Sequence, residues 1–265
     1  MFSKAEETKK YAHVGLFNQG STCYLNSVMQ QLYNTPEFRY QLFKWKYDKN
    51  MHSSPPDCIP YQLQKLFTKM LLGNNPQVDT VGLTKSFQWT QEDSFDEHDV
   101  EEFYLVLFGA IEESLIASTE GDPEFISKLY EGSMSSYVEC LTCHRITNRE
   151  EPFRDIKLSL SSFDKKHKYR SIEQALNANF IPDKLEGNNK YECSECKAKV
   201  DALKYDRLAK LPPILTFHLK RFNYNLQTGS KYKLNDRMTF PLTLNMNYFL
   251  KYFFTLSIVL YMKKG

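Results

Sequence analysis

Net charge, cysteine and long apolar runs are all scarce in this 265-residue sequence, and each scarcity removes a class of protein. The 34 Lys and Arg nearly balance the 32 Asp and Glu, so no global field steers the chain to nucleic acid or to an anionic membrane. Six cysteines are too few for a secreted disulfide scaffold of this length. In a reducing compartment they read as metal ligands, catalytic thiols or core residues. The charged N-terminus, MFSKAEETKKYAHVG, lacks the apolar core of a secretory signal. The last apolar run, Tyr252 to Met262, is much shorter than the ~20 residues that cross a bilayer. No internal repeat, low-complexity tract or Gly/Ser linker interrupts the chain. The expectation is an intracellular monomer, in the cytoplasm, the nucleus or both, with neither nucleic acid nor membrane as a partner.

What is present is ordinary globular material, with 42% apolar residues. The first part of the chain has helical periodicity. Cys23 to Tyr33 carries apolar residues at helical spacing behind a Gly20-Ser21-Thr22 loop, with Ser21 or Thr22 as N-cap. Pro36 ends that helix or opens another. Further helices are expected over Tyr61 to Leu72 and over Glu97 to Leu115, where Val100, Phe103, Tyr104, Leu107, Phe108 and Ile111 form a stripe. Short β-like segments then surround two cysteine pairs, with one helical piece near Ser171 to Phe180. After Leu211-Pro212-Pro213, the residues Leu215, Phe217 and Leu219 alternate with Thr216, His218 and Lys220, as in a half-buried strand with His218 on its polar face. The class is α+β.

Two features carry chemistry. Cys23 falls at the first turn of its helix, where unpaired backbone amides favour a thiolate. Asn18 lies upstream in the same loop, where its side-chain amide can donate to an oxyanion forming beside the sulfur, with the Cys23 amide as second donor. Cys140-Leu141-Thr142-Cys143 and Cys193-Ser194-Glu195-Cys196 are two C-x-x-C knuckles. Chance supplies about a tenth of one such pair here, so two together point to a four-thiolate structural zinc site with no position left open for water. Cys58 matches neither pattern.

The run from Gly15 to Leu32 resembles the cysteine box of the ubiquitin-specific proteases almost position by position. Four further stretches are similar to the same family in the same order. Glu97-His98-Asp99-Val100-Glu101-Glu102-Phe103 resembles its Asp-Ala-Gln-Glu-Phe element, with Glu101 where glutamine is usual. The cysteine pairs, the segment Leu211 to Phe222, and the segment Asp236 to Met246 follow. The likeness is greatest to the branch related to herpesvirus-associated members. It implies a papain-like fold with a tail over 1–13, a thumb over 14–124, zinc-bearing fingers over 125–210 and an incomplete palm over 211–265. It also implies a cysteine-type deubiquitinase that acts on ubiquitin and ubiquitinated proteins, with Cys23 as nucleophile, Asn18 at the oxyanion and Asp99 beside the ubiquitin tail.

The family supplies its catalytic histidine from a glycine-rich element downstream of Leu250, and no histidine follows His218 here. None of the six histidines has the context of a substitute. The sequence is therefore read as C-terminally truncated relative to the family, and very low turnover is expected of these 265 residues alone. A non-catalytic ubiquitin-binding or zinc-scaffold module is the alternative expectation.

Overall fold

The structure is a computed structural model. It describes residues 13–88, 100–118, 120–225, 227–250 and the strand Ser257–Val259. The chain forms two compact units, Met1–Ile126 and Ser127–Gly265.

The first unit is helical. Strand β1 (Gly15–Leu16) leads into α1 (Cys23–Tyr33), α2 (Pro36–Lys44) and α3 (Ile59–Leu72). Strand β2 (Gln77–Val78), α4 (Val81–Ser86) and α5 (Val100–Ile116) complete it. Pro36 and Pro60 open α2 and α3 at first-turn positions, where proline costs no hydrogen bond and its fixed φ suits the helix. Phe38 of α2 is the hub of the core. It packs against Phe67, Phe108 and Phe125 at ring-centroid distances of 6.4, 6.3 and 5.5 Å. Leu25, Met29 and Leu32 are the buried residues of α1, each a burial that stabilises by about 1.5–3 kcal/mol. Along α5 the buried stripe is Phe103, Leu107, Phe108, Ile111 and Leu115. Val100 was expected in that stripe but stands in the first turn, where it is exposed.

Helix α6 (Phe125–Tyr130) joins the two units in sequence. The second unit is built on a four-stranded antiparallel sheet in the order β4-β3-β9-β6. Its strands are β3 (Gly132–Cys140), β4 (Ile146–Phe153), β6 (Asp183–Leu185) and β9 (Ala202–Lys210). Between them lie β5 (Ile156–Leu158), α7 (Ile172–Asn179) and the small hairpin of β7 (Tyr191–Cys193) with β8 (Ala198–Val200). Ser171 caps α7 by accepting from the Gln174 amide. Strand β10 (Phe217–Leu219) pairs in parallel with β5, and β11 (Phe222–Asn225) with β12 (Ser230–Lys233) forms a hairpin. One core unites this unit: Leu158, Leu176, Phe180 and Leu208 pack with Leu244, Met246 and Phe249.

His218 departs from its expected place. It is buried beside Asp155, whose Oδ2 is 3.8 Å from His218 Nδ1. The alternation of β10 suggested one wet face. In the fold β10 runs parallel to β5 and is covered on both sides, as parallel pairs usually are. The late apolar run also contributes structure: β14 (Ser257–Val259) pairs antiparallel with β13 (Thr243–Asn245). Among the described residues no helix is long and apolar enough to cross a membrane.

Candidate active site and metal centre

Cys23 is the first residue of α1 and is exposed. The loop before it is held on two sides. On one, β1 pairs in parallel with β2, and the Phe17 amide donates to Val78 O at 3.0 Å. Asn26 Nδ2 donates to Phe17 O at 3.0 Å, and Gln30 Nε2 donates to Val14 O at 2.8 Å. These two residues lie four apart and so share a helix face, which fastens the incoming strand to α1. On the other side, Gln19 Nε2 donates to Thr80 Oγ1 at 2.6 Å and Gln19 Oε1 accepts from Thr84 Oγ1 at 3.2 Å. Gly20, with φ of +126°, makes the reversal that no other residue makes cheaply.

Thr22 occupies the N-cap position, as expected for Ser21 or Thr22, but its hydroxyl does not cap the helix. The hydroxyl turns back into the loop, accepting from the Gln19 amide at 3.0 Å and donating to Asn18 Oδ1 at 3.1 Å. Asn18 Oδ1 accepts a second bond from the Thr22 amide at 3.1 Å. Two donors on its oxygen fix which way the Asn18 amide faces, and the NH2 end is the end left to meet a ligand. The first turn of α1 carries no side-chain cap and no acidic residue, so its amides keep their pull on negative charge beside Cys23.

Sequence reasoning singled out Cys23 and Asn18 and gave Thr22 only as an N-cap candidate; it gave no role to Gln19, Thr80 or Thr84. The cross-links of Gln19 reach about sixty residues along the chain, and a single sequence carries no signal for such pairings. Asp99 lies outside the described residues.

The second cluster lies in the other unit. Strand β3 ends on Cys140, and the turn through Cys143 brings the Cys143 amide to Cys140 Sγ at 3.4 Å. Cys193 ends β7, and the turn to β8 carries Cys196. His144 and Lys197, each directly after the second cysteine of its knuckle, adopt φ of +58° and +51°. The matching backbone reversal aims both sulfurs of each pair inward. Cys140 Sγ lies 3.8 Å from Cys196 Sγ, and Cys143 Sγ lies 3.7 Å from Cys193 Sγ. All four sulfurs fall within 4.8 Å of one another. Four sulfurs set at ~2.3 Å around one ion have edges of about 3.8 Å, so the donor set fits a tetrahedral metal.

Charge in the cluster is uneven. The Cys143 backbone amide draws the Cys140 thiol down to about 6, while the neighbouring Cys143 thiol pushes Cys196 up to about 12. Crowded thiols resist becoming four anions together, and a divalent cation removes that resistance by displacing the protons. An ion pair between Arg145 and Glu195 ties the first knuckle to the second. His144 is exposed, with Nδ1 3.8 Å from Glu139, and does not join the sulfur cluster. Cys58 sits apart from both sites, buried at the start of α3, where desolvation pushes its thiol up.

Comparison with known proteins places this geometry. The family profile "Ubiquitin carboxyl-terminal hydrolase" matches residues 14–255. Ubiquitin carboxyl-terminal hydrolase 47 of Drosophila melanogaster is 45% identical over 238 residues, covering 90% of this chain and 15% of that protein. Its Homo sapiens counterpart is 39% identical, covering 94% of this chain and 18% of its own length. Ubiquitin carboxyl-terminal hydrolase 40 of Homo sapiens is 35% identical, at 95% and 21% coverage. The chain therefore spans about a fifth or less of the curated relatives named here. Among solved structures, one described as "Structure of the SAGA Ubp8/Sgf11/Sus1/Sgf73 DUB module bound to ubiquitin aldehyde" superposes with a TM-score of 0.72 at 26% identity, covering 95% of this chain and 56% of the other. By its profile match, its relatives and its papain-like mixed fold, the chain belongs to the ubiquitin-specific protease family of ubiquitin carboxyl-terminal hydrolases.

Proposed function

We propose that the chain carries the nucleophile side of a cysteine-type deubiquitinase, which removes ubiquitin from protein conjugates at the ubiquitin C-terminal glycine. The observation that supports this most is the Asn18–Thr22–Cys23 loop, which puts an exposed cysteine at a helix start without a side-chain cap and, in the same loop, an asparagine amide locked by its own oxygen. In the proposed reaction the Cys23 thiolate adds to the glycine carbonyl, and the oxyanion takes hydrogen bonds from Asn18 Nδ2 and the Cys23 amide. Collapse breaks the C–N bond, a proton goes to the leaving amine, and a thioester remains on Cys23. Water then adds to the thioester and releases the glycine carboxylate and the thiol.

Turnover also needs an imidazole beside the sulfur, which the family resemblance assigns to an element after Leu250. Asp99 is proposed to border the groove for the ubiquitin tail. The four-cysteine cluster is proposed to hold structural zinc, with Cys140, Cys143, Cys193 and Cys196 as its ligands. The family motifs taken together are read as nearest the herpesvirus-associated branch, and ubiquitin and its conjugates are the proposed partners; the charged N-terminal stretch, without a secretory apolar core, supports an intracellular location.

The test must not depend on the base. A ubiquitin bearing a C-terminal electrophile is incubated with the chain and the adduct is mapped by mass spectrometry. Labelling at Cys23, abolished by Cys23→Ala, is expected. Labelling at the exposed Cys143 instead, or ubiquitin binding with no adduct, would overturn the assignment and favour a scaffold role.

A further inference from the structure

The segment between β5 and α7 belongs to neither site. Ser161 bridges Lys168, and the Ser162 amide donates to His167 O at 2.8 Å, closing a tight hairpin. The hairpin is pinned from within. Ser162 Oγ donates to Asp164 Oδ1 at 2.6 Å and accepts from the His167 amide at 3.0 Å, and Lys165 takes a φ of +58°. On its tip stands Phe163, whose fractional exposure is 104%, the highest among the exposed large apolar residues. A loop this strongly hydrogen-bonded does not hold a phenyl ring wholly in water for the sake of its own packing.

Cations are dense in the same hairpin. Lys165, Lys166 and Lys168 follow Phe163 along the exposed hairpin, and Arg170 is exposed just beyond. The segment after β12 lies alongside: the Thr239 amide donates to Arg170 O at 2.8 Å, and Ser171 bridges Thr239. This brings the segment that carries the exposed Arg237 alongside the base of the hairpin. Two carboxylates answer these five cations. Asp164 meets Lys166 at 3.8 Å, and Asp236 meets Lys168 at 2.6 Å. A local surplus of positive charge therefore sits on a chain whose overall charge is only +2.

We propose that this basic, aromatic hairpin is a peripheral docking surface for an anionic lipid bilayer. A fully exposed phenyl at a hairpin tip, with three exposed lysines on the same hairpin, suits a soft interface in which apolar and anionic groups lie side by side. The phenyl enters the headgroup region and the cations meet lipid phosphates and carboxylates. Attachment of this kind needs no spanning helix, so it is compatible with the absence of one among the described residues. It replaces the expectation of no membrane partner, which rested on net charge and on apolar runs; neither reports a local patch.

The experiment is co-sedimentation of the full chain with vesicles of phosphatidylcholine alone and of phosphatidylcholine with phosphatidylserine. Binding to the second and not the first is expected, weakening steeply as salt rises. Lys165→Glu with Lys166→Glu should lower the partition coefficient about tenfold or more, and Phe163→Ala by several-fold to about tenfold. Lys199→Glu with Lys204→Glu, a charge-matched change elsewhere, should have much less effect, and circular dichroism checks that every variant is folded. Equal binding to both vesicle types, no binding to either, or equal losses in the hairpin and control variants would each overturn the proposal. So would capture by soluble polyglutamate without capture by vesicles, which would assign the patch to an acidic protein. Electrophile labelling at Cys23 is independent of all these outcomes.

Discussion

Replacing Asn18 by aspartate separates the two ends of that side chain. Asn18 Oδ1 accepts from the Thr22 amide and the Thr22 hydroxyl, both at 3.1 Å. A carboxylate keeps an oxygen in that place, so both bonds survive and the loop retains its shape. What disappears is the NH2 donor proposed to face the oxyanion. A hydrogen bond to a charged group contributes about 1.5–3 kcal/mol, which is roughly ten- to a hundredfold in affinity, and the added negative charge acts in the same direction. The assay is binding of ubiquitin aldehyde compared with binding of ubiquitin. Addition of Cys23 Sγ to the aldehyde creates an oxygen where the oxyanion forms, without calling on a general base. Asn18→Asp should cut the preference for the aldehyde by that factor, leave the affinity for ubiquitin within about threefold, and shift unfolding by less than about 1 kcal/mol. An unchanged preference would refute the role given to Asn18. A fall in aldehyde binding matched by an equal fall in ubiquitin binding would refute it too, because the loss would then lie in docking rather than at the reacting carbon.

Other perturbations test the supports. Thr22→Val removes a fully buried hydroxyl that joins the Gln19 amide to Asn18 Oδ1, so denaturant unfolding should show a loss of about 2 kcal/mol; less than ~0.5 would mean the loop is held otherwise. Gly132→Ala places a Cβ 2.5 Å from Lys210 O and 2.7 Å from Phe153 Cζ at the base of β3. Since the clash is partly with backbone, a cost of about 1–3 kcal/mol is expected, and a neutral result would refute the close approach of β3 and β9. Elemental analysis should find one zinc per chain. Chelation or Cys193→Ser should speed hydrogen exchange in residues 190–201 while leaving α1 protected, and uniform exchange across both units would contradict a local structural role.

Patterns confined to one turn or one strand were legible. The start of α1 at Cys23 and its end at Tyr33 follow from the loop glycine and the apolar spacing, and Ser171 announces α7 as its cap. The knuckles were legible for the same reason, since two intervening residues are what lets two sulfurs meet one ion. Legibility failed where a residue's role depended on its distant neighbours. Alternation along Leu215 to Lys220 gives the pleat of β10 but says nothing of what covers each face, so His218 was assigned to the polar face of a half-buried strand when it is buried. No role for Gln19 was legible, because its partners, Thr80 and Thr84, lie more than sixty residues along the chain.

Thr22 shows how a local rule can be overridden to chemical effect. A threonine at an N-cap ordinarily turns its hydroxyl onto the amides of the first turn, and Asp or Glu in that turn would add to the stability. Here the hydroxyl is spent on Asn18 and Gln19, and no acid follows. The helix forgoes about 0.5–2 kcal/mol of capping. In exchange, amides that a cap would have occupied stay without a side-chain partner at the turn that begins with Cys23, while the same hydroxyl fixes the asparagine proposed as the second oxyanion donor. A stabilising cap and an anion-binding helix start compete for the same few N–H groups, so this local departure from the best helix signal marks where the chemistry is proposed to occur.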